Sequence, residues 1–107
     1  MSTLSTHVLD TALGKPAAGV HVSLARASDG VVLGDGHTDP DGRLREFVGT
    51  LAADVYRLRF AVADYFAATQ RPTFFPEVVV VFRLGDDEHY HVPLLISPFG
   101  YSTYRGS

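Results

Sequence analysis

Glycine and proline interrupt the chain about every ten residues, and the stretches between them are short, rich in β-branched residues and often alternate apolar with polar positions. A period of two repeated between turn formers is the pattern of half-buried strands in a sandwich or barrel. It predicts strands over Leu4 to Leu9, Val20 to Ala27, Val31 to Thr38, Arg43 to Phe47, Val55 to Val62, Glu77 to Leu84, His89 to Ile96 and Tyr101 to Tyr104. Asp39-Pro40-Asp41-Gly42 is the strongest turn, because proline presets one backbone angle and glycine tolerates the positive φ that closes the reversal. Arg43 then opens the return strand. One stretch, Asp64 to Gln70, lacks the alternation and stops short of Pro72, where a helix would have to end, so a single short helix is expected there. The pattern as a whole predicts an all-β, two-sheet sandwich of about eight strands with that one helix.

Length narrows the picture to one unit. The 107 residues match a single domain, and with no linker, repeat or low-complexity stretch, residues 1–107 read as one fold. A chain of this size buries only about two-thirds of its unfolded surface, and all-β folds this small often extend their core by self-association. Nine Lys and Arg against 12 Asp and Glu give a net charge of −3, with the cations scattered, so nucleic acid is not an expected partner. Cysteine is absent, which removes disulfides, thiolate metal sites and thiol nucleophiles together. The first residues, Met1 to His7, carry neither the basic start nor the apolar run of a secretory signal, and no apolar run approaches membrane-spanning length. A soluble cytoplasmic protein is the expectation.

Chemistry must then come from oxygen and nitrogen groups. His89-Tyr90-His91 lies in a strand-like stretch, where a spacing of two puts both imidazoles on one face and Tyr90 and Val92 on the other. Three readings of that pair stand on residue types alone: solvated or structural histidines, a metal pair completed by His7, His21 or His37, or an acid–base pair. Arg43 by itself reads as an ordinary surface cation. No Gly-X-Ser-X-Gly elbow supports a serine nucleophile.

Longer blocks change the weighting. The opening Leu4-Ser5-Thr6-His7-Val8-Leu9-Asp10, then Gly14-Lys15-Pro16-Ala17, and the central Thr38-Asp39-Pro40-Asp41-Gly42-Arg43 resemble the transthyretin-like family of 5-hydroxyisourate hydrolases. So do Phe74-Phe75-Pro76-Glu77, His89-Tyr90-His91-Val92-Pro93-Leu94-Leu95 and the ending Tyr101-Ser102-Thr103-Tyr104-Arg105-Gly106-Ser107, whose last four residues match the tetrapeptide that marks the hydrolases. The likeness runs from Leu4 to Ser107. Only the stretches around Ala27 to Gly36 and Val48 to Asp54 carry no motif.

The resemblance implies a transthyretin-like β-sandwich that assembles as a homotetramer, with sites in grooves between subunits and no metal or organic cofactor. It implies an activity in urate breakdown, the hydrolysis of 5-hydroxyisourate to 2-oxo-4-hydroxy-4-carboxy-5-ureidoimidazoline. Carried over residue by residue, it marks His7, Arg43, His91 and Ser107 as catalytic, and His7, Arg43, Tyr104 and Arg105 as binding the substrate. In that scheme His91 handles the proton of the attacking water, with the Ser107 hydroxyl or carboxylate orienting its imidazole. Arg43 stabilises charge growing on the carbonyl oxygen, and His7 binds the substrate or acts as the acid. The competing reading is a transthyretin-like carrier of small molecules without catalysis, which the same sandwich also serves.

Overall fold

In the computed structural model, which covers residues 1–107, the chain folds as nine strands and one helix. They run β1 (Thr3–Asp10), β2 (Lys15–Pro16), β3 (His21–Arg26), β4 (Val32–His37), β5 (Arg43–Arg45), β6 (Asp54–Phe60), α1 (Val62–Ala68), β7 (Val78–Leu84), β8 (His89–Ser97) and β9 (Gly100–Thr103). Two sheets face one another, one ordered β2-β1-β8-β9 with β5 also on β1, the other ordered β4-β3-β6-β7. The two-sheet sandwich expected from the alternation is therefore present. No helix is long and apolar enough to cross a membrane.

Alternation decides what fills the space between the sheets. On β1, Leu4 and Val8 point inward and are buried. On β8, Tyr90, Val92, Leu94 and Ile96 do the same. They meet Val22 and Leu24 from β3 and Tyr56, Leu58 and Phe60 from β6 in one core cluster. Each such side chain contributes about 1.5–3 kcal/mol by leaving water. The inward polar groups are all satisfied: the Thr6 hydroxyl donates to Val92 O at 2.6 Å, and the Thr38 hydroxyl donates to Ala17 O at 2.7 Å while accepting from Val20 N at 2.9 Å.

Several expected boundaries move, among them the end of the strand expected to run to Val62, which stops at Phe60. The helix spans Val62–Ala68 rather than Asp64 to Gln70, because Val62 and Phe66, one turn apart, are both buried and draw the chain into helix directly after Phe60. It ends where Gln70 turns to φ 58°, ahead of Pro72. The strand from Arg43 stops at Arg45 because Glu46 takes φ 53°. The two-residue β2 was not expected, since two residues carry no visible alternation. It pairs with Leu9 and Asp10 at the end of β1.

Asp10 anchors that end. Its carboxylate is wholly buried and accepts from the Tyr65 hydroxyl at 2.7 Å, from Leu13 N at 3.1 Å and from the Arg71 guanidinium, tying β1 to α1. Burial alone would raise its pKa, but the hydrogen bonds from Arg71, Tyr65 and Leu13 outweigh it and hold the carboxyl below the usual range. Burial and the same carboxylate push the Tyr65 hydroxyl up to about 12.

Gly42 controls where β5 and β2 share one edge of β1. Its carbonyl accepts from Val8 N at 2.7 Å, its φ is +75°, and a Cβ there would sit 2.3 Å from Val8 O and 3.2 Å from Ala17 N. Only glycine permits this approach. Gly42→Ala is expected to lower stability by about 1–3 kcal/mol, read as a lower urea midpoint with an unchanged slope, because backbone strain and a steric clash coincide there.

Candidate active site

The neighbours of β1 determine which outward side chains meet. Its parallel register with β8 sets Thr3 beside His89, Ser5 beside His91 and His7 beside Pro93. Its antiparallel register with β5 sets Ser5 beside Arg45 and His7 beside Arg43. With a period of two, Ser5 and His7, His89 and His91, and Arg43 and Arg45 all leave the sheet on the face turned away from the core. Three strands thus bring cations and hydroxyls onto one surface.

Hydrogen bonds fix the rings. The Thr3 hydroxyl lies 2.6 Å from His89 Nδ1, and the Ser5 hydroxyl lies 2.9 Å from His89 Nε2 and 2.8 Å from His91 Nδ1. His7 Nε2 lies 2.8 Å from the carbonyl oxygen of Asp41, which can only accept, so this nitrogen carries a proton. The Asp-Gly turn therefore supplies both the return strand bearing Arg43 and the carbonyl that orients His7.

Ser5, Thr6, Arg43, Arg45, His89, His91 and Ser107 line a cavity of about 320 Å³ without one hydrophobic residue. A second cavity, of about 420 Å³, adjoins it through Ser5, Arg45 and His89 and extends to Glu46 and Thr50. The chain end reaches this groove because Gly106 N donates to His91 O at 2.8 Å. A Cβ on Gly106 would come within 2.7 Å of His91 Cδ2, so glycine is what lets the tail lie against the imidazole.

The structure thus brings Arg43, His91 and Ser107 to one cavity, with His7 on the neighbouring rung. Tyr104 and Arg105 turn the other way within a single chain. They line an apolar cavity of about 220 Å³ with Val80, Phe82, Tyr90 and Val92, on the inward side of β8. The Arg105 guanidinium sits 4.7 Å from the centre of the Tyr90 ring and 3.5 Å from the Glu88 carboxylate. At His91 the hydroxyl beside Nδ1 is that of Ser5 on β1 rather than that of Ser107. Ser5 was missed because its partner lies 86 residues away. Its only local signal is its place two before His7 on the same outward row.

Burial lowers the His91 pKa, and the Arg43 guanidinium, with the neighbouring His7 and His89 rings, lowers it further, so the ring is held neutral and able to accept a proton at neutral pH. His21, one of the candidate third metal ligands, is held by Asp35 at 2.8 Å on the other sheet, stacked 4.9 Å from His37. No group of three or more His, Cys, Asp or Glu side chains converges in the chain.

Comparison with known proteins adds the relatives. A family model described as the HIUase/Transthyretin family matches residues 4–106. The 5-hydroxyisourate hydrolase of Caulobacter vibrioides is 50% identical over 115 residues, covering 100% of both chains. That of Salmonella typhimurium is 49% identical over 109 residues, covering 97% of this chain and 80% of its own. Among solved structures, Klebsiella pneumoniae 5-hydroxyisourate hydrolase superposes with a TM-score of 0.93 at 42% identity, covering 100% of both chains. Sea bream transthyretin in complex with thyroxine superposes at 0.91 with 29% identity, covering 97% of this chain and 94% of its own. A match over nearly the whole chain, joined to relatives at half identity, means that this chain belongs to the HIUase/Transthyretin family.

Proposed function

We propose that the chain hydrolyses 5-hydroxyisourate to 2-oxo-4-hydroxy-4-carboxy-5-ureidoimidazoline, with His91, Arg43, His7 and Ser107 as the working groups. The observation that carries this reading is the cavity lined only by Ser, Thr, Arg and His side chains and the chain end. Such a lining suits a flat, partly anionic ring bearing many carbonyl and N–H groups. It does not suit a hydrophobic hormone, so it disfavours the carrier reading. Full-length identity of 50% to a 5-hydroxyisourate hydrolase supports the same side.

The reaction adds water to a ring carbonyl and breaks the adjoining C–N bond. One group must take a proton from water, one must stabilise the oxyanion, and one must hold the ring. His91 suits the first task, because burial and the surrounding cations keep it neutral. Arg43 suits the second, since its guanidinium stays charged and donates two parallel hydrogen bonds to planar oxygen ligands. His7 presents a ring already fixed by Asp41 O and serves as substrate contact or acid. Ser107 closes the cavity from the tail. We assign Tyr104 and Arg105 a supporting part in binding through the position of that tail.

A homotetramer with grooves between subunits, in the cytoplasm, completes the proposal. Phe74 and Phe99, each about seven-tenths exposed in the single chain, and the exposed Tyr104 supply apolar surface for such contacts.

The direct test generates 5-hydroxyisourate from urate and follows its ultraviolet decay with and without the protein, where acceleration is expected and an unchanged decay refutes the proposal. In that assay His7→Ala, Arg43→Ala and His91→Ala should each lower the rate at least about tenfold while sedimentation shows an unaltered assembly. His89→Ala should be milder, since water can take the place of its ring beside the Ser5 hydroxyl.

The lowered His91 pKa has a signed consequence. Neutral His91 is the active base, so activity should persist on acidification to below the ordinary value of 6.5 and then fall. Folding stability, unaffected by this group above 6.5, should begin to drop as pH falls below that value, because the unfolded chain takes up the proton first. An NMR titration of the His91 ring checks the midpoint, and Arg43→Ala should move it upward, though not fully, since burial remains.

Deleting Arg105 to Ser107, or adding a tag after Ser107, should abolish most activity and leave the melting temperature and assembly nearly unchanged. A fully active tagged enzyme would show that the tail only completes the sheet.

A further inference from the structure

The hydrogen-bond row Thr3–His89–Ser5–His91 contains a constraint that neither histidine has alone. Ser5 Oγ has two partners, His89 Nε2 and His91 Nδ1, and one proton to donate. If that proton goes to His89, His91 must present Nδ1–H to the Ser5 oxygen. If it goes to His91, His89 must present Nε2–H. Thr3 Oγ1, at 2.6 Å from His89 Nδ1, extends the same either-or choice by one step.

Two fully bonded arrangements result. In the first, His91 Nδ1–H donates to Ser5, Ser5 O–H donates to His89 Nε2, and His89 Nδ1–H donates to Thr3, which leaves His91 Nε2 with a lone pair. In the second every bond runs the other way, and His91 Nε2 carries a proton. Both contain the same number of protons and no charged ring. Of the two His91 nitrogens, Nε2 is the one with no partner in the chain, while the ring itself lines the polar cavity.

We propose that Ser5 is a positioning residue that sets the tautomer of His91 by joining it to His89 in one proton-sharing row, holding His91 as the Nδ1–H form in the resting protein. This rests on the reading of His91 as the base toward water. When His91 Nε2 takes the water proton, its Nδ1 proton passes to Ser5, the Ser5 proton to His89 Nε2, and the His89 Nδ1 proton to Thr3, whose own proton leaves to solvent. The row is then in its second arrangement, with His91 Nε2–H ready to protonate the departing ring nitrogen. The reverse shift, with a proton entering at Thr3, restores the first. No imidazolium has to persist beside Arg43 and Arg45, which face the same surface and disfavour one.

The test reads tautomers directly. Long-range proton–nitrogen NMR spectra of the resting wild-type protein should show His91 and His89 both protonated at Nδ1 and bare at Nε2. Ser5→Ala should release His91 from that form and lower kcat about tenfold or more while KM changes less than about threefold. A wild-type spectrum with His91 protonated at Nε2 would overturn the assignment, as would Ser5→Ala with native kcat. If Ser5→Ala fails to fold, the wild-type spectrum decides alone. Absence of hydrolysis by the wild-type protein would instead sink the functional reading, a result separate from the resting tautomer.

Discussion

The parallel pairing of β1 with β8 is the constraint on which both the sandwich and the site depend. It runs without a break from Thr3 beside His89 to Asp10 beside Ile96, joining the two ends of the chain. A slip of one residue would turn Leu4 and Val8 out to solvent and Ser5 and His7 into the core, which burial forbids. A slip of two would preserve burial yet separate Ser5 from His91. Pinning against the second error falls to specific polar contacts: Thr6 to Val92 O, Thr3 N to Glu88 O, and the buried Asp10 carboxylate held by Tyr65 and Arg71.

Charge is distributed to match. The chain carries a net −3, yet His7, Arg43, Arg45, His89 and His91 share one outward surface. Asp10 shows the opposite design, a buried anion surrounded by donors, which stabilises the fold. Arg43 and Arg45 have no carboxylate within ion-pair distance in the chain. A cation row left unpaired is costly for stability and favourable for attracting an anionic ring. Its Arg43 also adds to the effect of burial in lowering the His91 pKa.

The sandwich itself is neutral between catalysis and transport. Superposition on Klebsiella pneumoniae 5-hydroxyisourate hydrolase and on sea bream transthyretin gives nearly the same TM-score, 0.93 and 0.91. What separates the two readings is the polar lining of the groove, where the ends of β1 and β8, the Asp-Gly turn and the tail deliver side chains.

Much of this was legible in the residues. Period-two alternation marked the outward rows of the His-Tyr-His strand, and Asp39 to Gly42 marked the turn before Arg43, because both signals are local. The family likeness carried His7, Arg43, His91 and Ser107 as a set. The two-residue β2, the early start of the helix at Val62 and the placement of Tyr104 and Arg105 beside Val80, Phe82, Tyr90 and Val92 were not legible, since each depends on packing against distant strands. The sequence by itself determined which side chains leave the sheet on the same face, because that follows from strand geometry one residue at a time. Only the tertiary structure decided that Ser5 stands between His89 and His91, because their contact is set by the register of two strands more than 80 residues apart, which no local pattern encodes.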